Sequence, residues 1–280
     1  MATGPDVDRA FVRIQEGLVH YRHAGEGLKS TQLPLYMVHA GPGSSVGIAP
    51  LIAELGKTRW AVAPDTLGNG DSVPPGIQNP PVSYYADSVV RIMDALKIDK
   101  ADYFGTHTGA HIGVELLLTR PDRIRKAIFD GIGIFPDDLK KDMLANYAPE
   151  IKPDEFGRQF TWAWHFVRDQ SLHFPYFLRD PAHRLNNPMP PPEALHRSVT
   201  EVLKAVTTYH NGYRAVFAHD TKGRLPLIKN TPLMFMGSEP DPLHVYIDAA
   251  AALCPGSKKA LITREQGMPG RVKVMLDFLT

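Results

Sequence analysis

The hydrophobic pattern changes period several times along the chain. Ala10 to Ile14 and Leu18 to His23 alternate apolar and polar residues around Glu16-Gly17, which predicts a hairpin. Leu33 to Val38 is an almost unbroken apolar run, as expected of a parallel strand covered on both faces. Ile48 to Leu55 has helical spacing and Trp60 to Ala63 reads as a strand. Tyr84 to Leu96 is amphipathic at period 3.6, with Val89, Ile92 and Leu96 on one face. Asp102 to Phe104 predicts a short strand, and Ala110 to Leu118 a helix ended by Arg120-Pro121. Lys126 to Phe129 is the next strand. This alternation predicts an α/β fold with a doubly wound, mostly parallel eight-stranded sheet and helices on both faces.

The alternation breaks between Pro136 and Leu225, a stretch rich in aromatic residues, prolines and histidines. It resumes with Pro232 to Met236, Ile247 to Leu253, Lys259 to Ile262 and a last helix ending at Leu279. The expected organisation is a core of residues 1–135 and 226–280, with residues 136–225 inserted as a helical lid. Helices inserted between two strands would cap the C-terminal edge of the sheet, where ligands bind in open α/β sheets.

Composition narrows the function. The 280 residues are 43% hydrophobic and 22% charged, with a formal net charge of +1. That balance lacks the single-sign field of a nucleic-acid binder. No apolar run approaches the roughly 20 residues that span a bilayer. Met1 to Arg9 shows neither an apolar core nor a basic lead-in, so no secretion signal is expected. Cys254 is the only cysteine, which fits a reducing, cytoplasmic setting. No Gly-x-Gly-x-x-Gly follows the first parallel strand, so neither a flavin nor a nicotinamide cofactor is expected. The expected partner is a small-molecule substrate, with no cofactor.

The chemistry concentrates at Phe104-Gly105-Thr106-His107-Thr108-Gly109, a strand running straight into a helix. This segment resembles the nucleophile elbow of the α/β-hydrolase family, Gly-x-nucleophile-x-Gly, with histidine in the usual serine position. His39-Ala40-Gly41-Pro42-Gly43 resembles the family's oxyanion loop, Ala63 to Ser72 its following strand and turn, and Gly237 to Pro242 the loop carrying its acid. The resemblance covers nearly the whole chain outside the insertion. It implies an oxyanion hole from the backbone N–H groups of Gly41 and Thr108. The family's histidine would fall within Thr263 to Gly270, which contains none. A Ser-His-Asp triad is therefore not expected.

At the N-terminus of its helix, His107 would meet the positive end of the dipole. That predicts a pKa below about 6.5 and a neutral ring near pH 7, suited to a general base. Asp241 or Asp130 could orient it. A degenerate elbow would more commonly hold Ala or Gly than a bulky titratable group. His111, four residues on, could complete a metal pair, but no third ligand has suitable spacing. It is read as a packed helix histidine that borders the substrate.

In the insertion, Trp162 and Trp164 are candidate cavity walls. His165 and Arg168 can share a helix face and bind a carboxylate or phenolate; the alternative is an ion pair of Arg168 with Asp169. His165 could also supply a base. His39, Asp65 and Asp71 are read as loop braces. These residues predict a cofactor-free enzyme acting on a small apolar or aromatic carbonyl compound. Hydrolysis of an ester, lactone or C–C bond, with His107 as base, leads. A lyase or isomerase using His107 for proton abstraction and a non-catalytic ligand binder stand as alternatives.

Overall fold

The computed structural model describes residues 6–280, so the expectation for the start of the chain lies partly outside the described residues. The hairpin forms from β1 (Asp8–Ile14) and β2 (Gly17–Ala24). There follow β3 (Leu35–Val38), α1 (Ala49–Leu55), β4 (Ala61–Pro64), α2 (Val82–Ala95), β5 (Ala101–Thr106), α3 (Thr108–Thr119) and β6 (Ile124–Asp130). Five helices come before the sheet resumes: α4 (Asp137–Asn146), α5 (Arg158–Leu172), α6 (Pro192–Lys204), α7 (Tyr209–Ala218) and the single turn α8 (Thr221–Arg224). The chain closes with β7 (Leu233–Ser238), α9 (Ile247–Leu253), β8 (Lys258–Ile262) and α10 (Gly267–Leu279).

The eight strands form one sheet in the order β1-β2-β4-β3-β5-β6-β7-β8. Pairing is antiparallel through β1, β2 and β4 and parallel from β4 onward. Strand alternation divides the central residues between two cores. Tyr36, Val38, Tyr103 and Phe129 face α2, α3 and α9. Leu35, Met37, Phe104 and Ile128 face α1 and α10. Covering both faces explains why the central strands read as continuous apolar runs.

The five helices between β6 and β7 bury their own aromatic cluster, including Tyr147, Phe166, Tyr176, Tyr209 and Phe217. Tyr147 sits at its centre, with ring centroids 5.0 Å from Tyr176 and 5.1 Å from Phe217. Contacts of this geometry add to the burial energy of the rings. Among the described residues, no helix is long and apolar enough to cross a membrane.

Candidate active site

His107 is the single residue between β5 and α3, and its backbone is strained, with φ 50° and ψ −109°. A non-glycine residue there needs support from its surroundings. The flanking glycines provide the space. A Cβ on Gly105 would fall 2.3 Å from the Gly109 carbonyl oxygen, and one on Gly109 would fall 2.3 Å from that of Val38. Strand and helix therefore approach each other closely, and the His107 N–H donates to the Asp130 carbonyl at 2.9 Å.

The His107 side chain reaches Asp241, with Nε2 and Oδ2 2.6 Å apart. Asp241 caps the turn after β7, where its Oδ1 accepts the Leu243 N–H at 2.9 Å, leaving Oδ2 for the imidazole. Gly131 makes room for the pair, because a Cβ there would lie 2.7 Å from the His107 ring and 2.8 Å from Asp241 Oδ2. Asp130 is placed differently. Its carboxylate is buried against Arg271 of α10, with an N···O distance of 3.0 Å and no aligned hydrogen bond. It influences His107 by charge and through its backbone.

The expected direction of the His107 shift is corrected. Burial does disfavour the imidazolium, but Asp241 opposes it by charge and hydrogen bond, with Asp130 adding charge, and the net shift is upward. A carboxylate at hydrogen-bonding distance outweighs the partial charge of a helix end. Burial likewise opposes the Asp241 charge, yet His107 carries its carboxyl below the ordinary value. Burial raises Asp130, against the pull of Arg271.

A cavity of about 230 Å³ opens over the elbow. Gly41, His107, Thr108 and His111 form its floor. Its walls come from Phe135, Tyr147, Phe174, Tyr213 and Phe217, with Gln170 adding an amide. Gln170 donates to the hydroxyls of Tyr147 and Tyr213 at 3.2 and 3.0 Å, holding α5 against α7. Gly41 and Thr108 are neighbours, and the Gly41 N–H donates to Thr108 Oγ1 at 3.1 Å. The Thr108 N–H, at the first turn of α3, makes no backbone hydrogen bond among the described residues.

Four insertion residues lie outside this cavity, which corrects their expected positions. Trp162 stacks on Phe166 at 4.8 Å within the insertion core. Trp164 is 41% exposed and His165 is exposed. Arg168 donates to Asp169 at 2.8 and 2.7 Å, the ion-pair alternative. The helix α5 presents Gln170 to the cavity instead. His39 holds the Ala40 carbonyl and accepts the Thr66 N–H at 2.9 Å, while Asp65 accepts from Ser45 and Asp71 backbone N–H groups.

Sequence reasoning missed the aromatic wall, Gly131 and Arg271, which come from separate elements and share no spacing. In the segment after β8, Thr263 N–H bonds to Gln266, and Arg264 reaches Asn186 and Asn187. The described residues that best resemble a metal cluster are His20, Asp65 and Asp71. Arg9 and Lys204 already pair with Asp71, and Arg9 also donates to His20, so these ligands serve as an ion-pair brace.

Comparison with known proteins adds the relationships. A 2-hydroxymuconate semialdehyde hydrolase from Pseudomonas sp. (strain CF600) is 34% identical over 123 residues, 42% of this chain and 44% of that protein. A putative carbamate hydrolase RutD from Caulobacter vibrioides (strain NA1000 / CB15N) is 32% identical over 150 residues, 51% of this chain and 55% of that protein. The chain thus spans about half the length of the curated relatives it matches. The solved enol-lactonase from Burkholderia xenovorans LB400 superposes with a TM-score of 0.68 at 20% identity, covering 96% of this chain and 99% of that one. Epoxide hydrolase A from Mycobacterium thermoresistibile superposes with a TM-score of 0.73 at 17% identity, covering 98% of each. These structures share the fold. With the family profile matching residues 34–262, the chain belongs to the alpha/beta hydrolase fold family.

Proposed function

We propose that the protein is a cofactor-free hydrolase of small apolar or aromatic carbonyl compounds, cleaving an ester, lactone or C–C bond. The observation that carries this reading is the His107–Asp241 pair on the floor of an aromatic cavity. Asp241 holds Nε2, while Nδ1 makes no hydrogen bond among the described residues. In its neutral form His107 takes a proton from water at Nδ1, and the hydroxide adds to the substrate carbonyl. The Thr108 N–H is the backbone donor assigned to the developing oxyanion in this reading. Collapse of the intermediate breaks the scissile bond, and Nδ1–H returns its proton to the leaving oxygen or carbon. Asp241 keeps the imidazole oriented and stabilises its charged state throughout.

The relatives support the substrate class: their names describe hydrolases of 2-hydroxymuconate semialdehyde and of a carbamate. The helices between β6 and β7 act as the lid, since their aromatic residues close the cavity. The buried free thiol of Cys254 fits a cytoplasmic location.

One observation favours a second reading, proton abstraction without water. The Gly41 N–H is bonded to Thr108 Oγ1, so one of the two backbone donors expected for an oxyanion is already engaged. Turnover of aryl esters, lactones and β-diketones in oxygen-18 water tests both. The hydrolase reading predicts one labelled oxygen in the acid product. Turnover without label supports the lyase or isomerase reading, and no turnover with saturable binding supports a ligand-binding protein.

A further inference from the structure

A second histidine borders the cavity floor and is supported by a chain of polar groups that the proposed reaction does not use. His111 lies one helical turn beyond His107. Its Nδ1 is 2.9 Å from Thr221 Oγ1 and 3.5 Å from His219 Nδ1. Thr221 Oγ1 is also 3.1 Å from His219 Nδ1. On the far side, His219 Nε2 is 2.7 Å from Glu115 Oε1, and Arg224 donates to both Glu115 oxygens. The chain crosses from the inner cavity to an outer cleft of about 510 Å³ bordered by Glu115, His219 and Arg224.

Donor and acceptor roles fix a direction along this chain when both imidazoles are neutral. Glu115 can only accept, so His219 carries its proton on Nε2 and offers a bare Nδ1. Thr221 therefore donates its hydroxyl proton to His219. Its oxygen then accepts from His111, which places the His111 proton on Nδ1. The His111 Nε2 is left without a proton, and its recorded hydrogen bonds among the described residues all run through Nδ1.

Burial, with the charge of Lys140 adding to it, holds His111 well below the ordinary imidazole value. The ring is therefore neutral across the physiological range. Glu115 opposes its own burial through His219 and Arg224, which carry its carboxyl down to about 2. The terminal acceptor of the chain is thus a stable carboxylate.

We propose that His111 is a specificity residue, whose bare Nε2 accepts a hydrogen bond from a hydroxyl group on the substrate. The substrate class narrows to small carbonyl compounds that also bear an enolic or phenolic hydroxyl. A site built to accept a hydrogen bond discriminates against a ligand that lacks the donor, because the buried acceptor is then left unpaired. Thr221, His219 and Glu115 act as positioning residues, since they set the His111 tautomer from a distance.

This inference rests on reading the cavity as the substrate site, but its test needs no turnover. Binding of 4-hydroxyacetophenone and 4-methoxyacetophenone is measured by calorimetry on the intact protein, His111→Phe and Thr221→Val. The intact protein is expected to favour the hydroxyl compound by about tenfold, a preference that His111→Phe abolishes and Thr221→Val weakens. Equal binding by the intact protein, no binding of the hydroxyl compound, or a preference that survives His111→Phe overturns the proposal. Nitrogen-15 NMR of the unaltered protein gives a readout that requires no variant. It is expected to show His111 neutral with its proton on Nδ1, and a proton on Nε2 overturns the assignment. Loss of turnover in a His107 variant with the binding preference intact would separate the hydrolase reading from this one.

Discussion

His107 Nε2 and Asp241 Oδ2 lie 2.6 Å apart, although 134 positions separate them in sequence. The elbow side chain thereby reaches the acid loop directly, with no intervening histidine. Asp241→Asn keeps the shape of the side chain but removes the charge that favours the imidazolium. It should lower kcat/KM by about 10²–10⁴-fold and move the His107 titration downward. NMR titration together with pH–rate profiles checks both effects.

Activity and stability should respond to pH with opposite slopes. The base form of His107 accumulates as pH rises through its upward-shifted pKa, so turnover should rise across that range. A raised histidine pKa stabilises the fold fully below its unfolded value and loses that contribution as pH rises through the folded value. The lowered Asp241 contributes above its ordinary value of 3.8 and loses its contribution as pH falls. The stability gap between the wild type and Asp241→Asn should therefore be widest near about pH 5 and narrow toward about pH 9. Chemical denaturation at both pH values measures it.

Backbone strain at His107 predicts an inversion of the usual order of small substitutions. His107→Gly and His107→Ala both lose the Asp241 contact, but only glycine is at ease at φ 50°. The glycine variant should be the more stable of the two by about 1 kcal/mol, while both lack activity. Equal denaturation midpoints would show that the elbow stores no strain.

Arg271→Leu removes the cation paired with the buried Asp130 carboxylate. Leaving that charge alone should destabilise the protein by about 3 kcal/mol at neutral pH. The loss should shrink in acid, where burial favours the protonated carboxyl. Thermal unfolding at pH 5 and pH 8 reads this difference.

His165→Ala and Trp164→Ala should leave kcat/KM within about twofold of wild type, because both side chains face outward. Steady-state kinetics with a substrate found in the panel decides this. A loss of tenfold or more in either variant would place α5 differently over the cavity.

These cases also mark where sequence was informative. The continuous apolar runs of Leu35 to Val38 and the Gly105–Gly109 spacing depend on local geometry, so strands and elbow were legible. The acid partner was not, because Asp130 ends β6 beside β5 while Asp241 lies in the turn that follows β7, one strand further, and only Arg271 and that turn set their side chains apart. The spacing put His165 and Arg168 on one face of α5 and made Trp162 a candidate wall, but it did not show which neighbours these side chains would meet. Tyr209 and Phe166 took Trp162, and Asp169 took Arg168. The His107 shift was misread in sign because a helix end is visible in sequence, whereas a carboxylate from a distant loop is not.

The most direct measurement is the turnover of an ester or β-diketone by the wild type beside His107→Asn, with circular dichroism confirming that the variant is folded. The account predicts a fall in kcat of at least about 10³-fold, with binding retained. A folded His107→Asn protein that turns over substrate at the wild-type rate would contradict it.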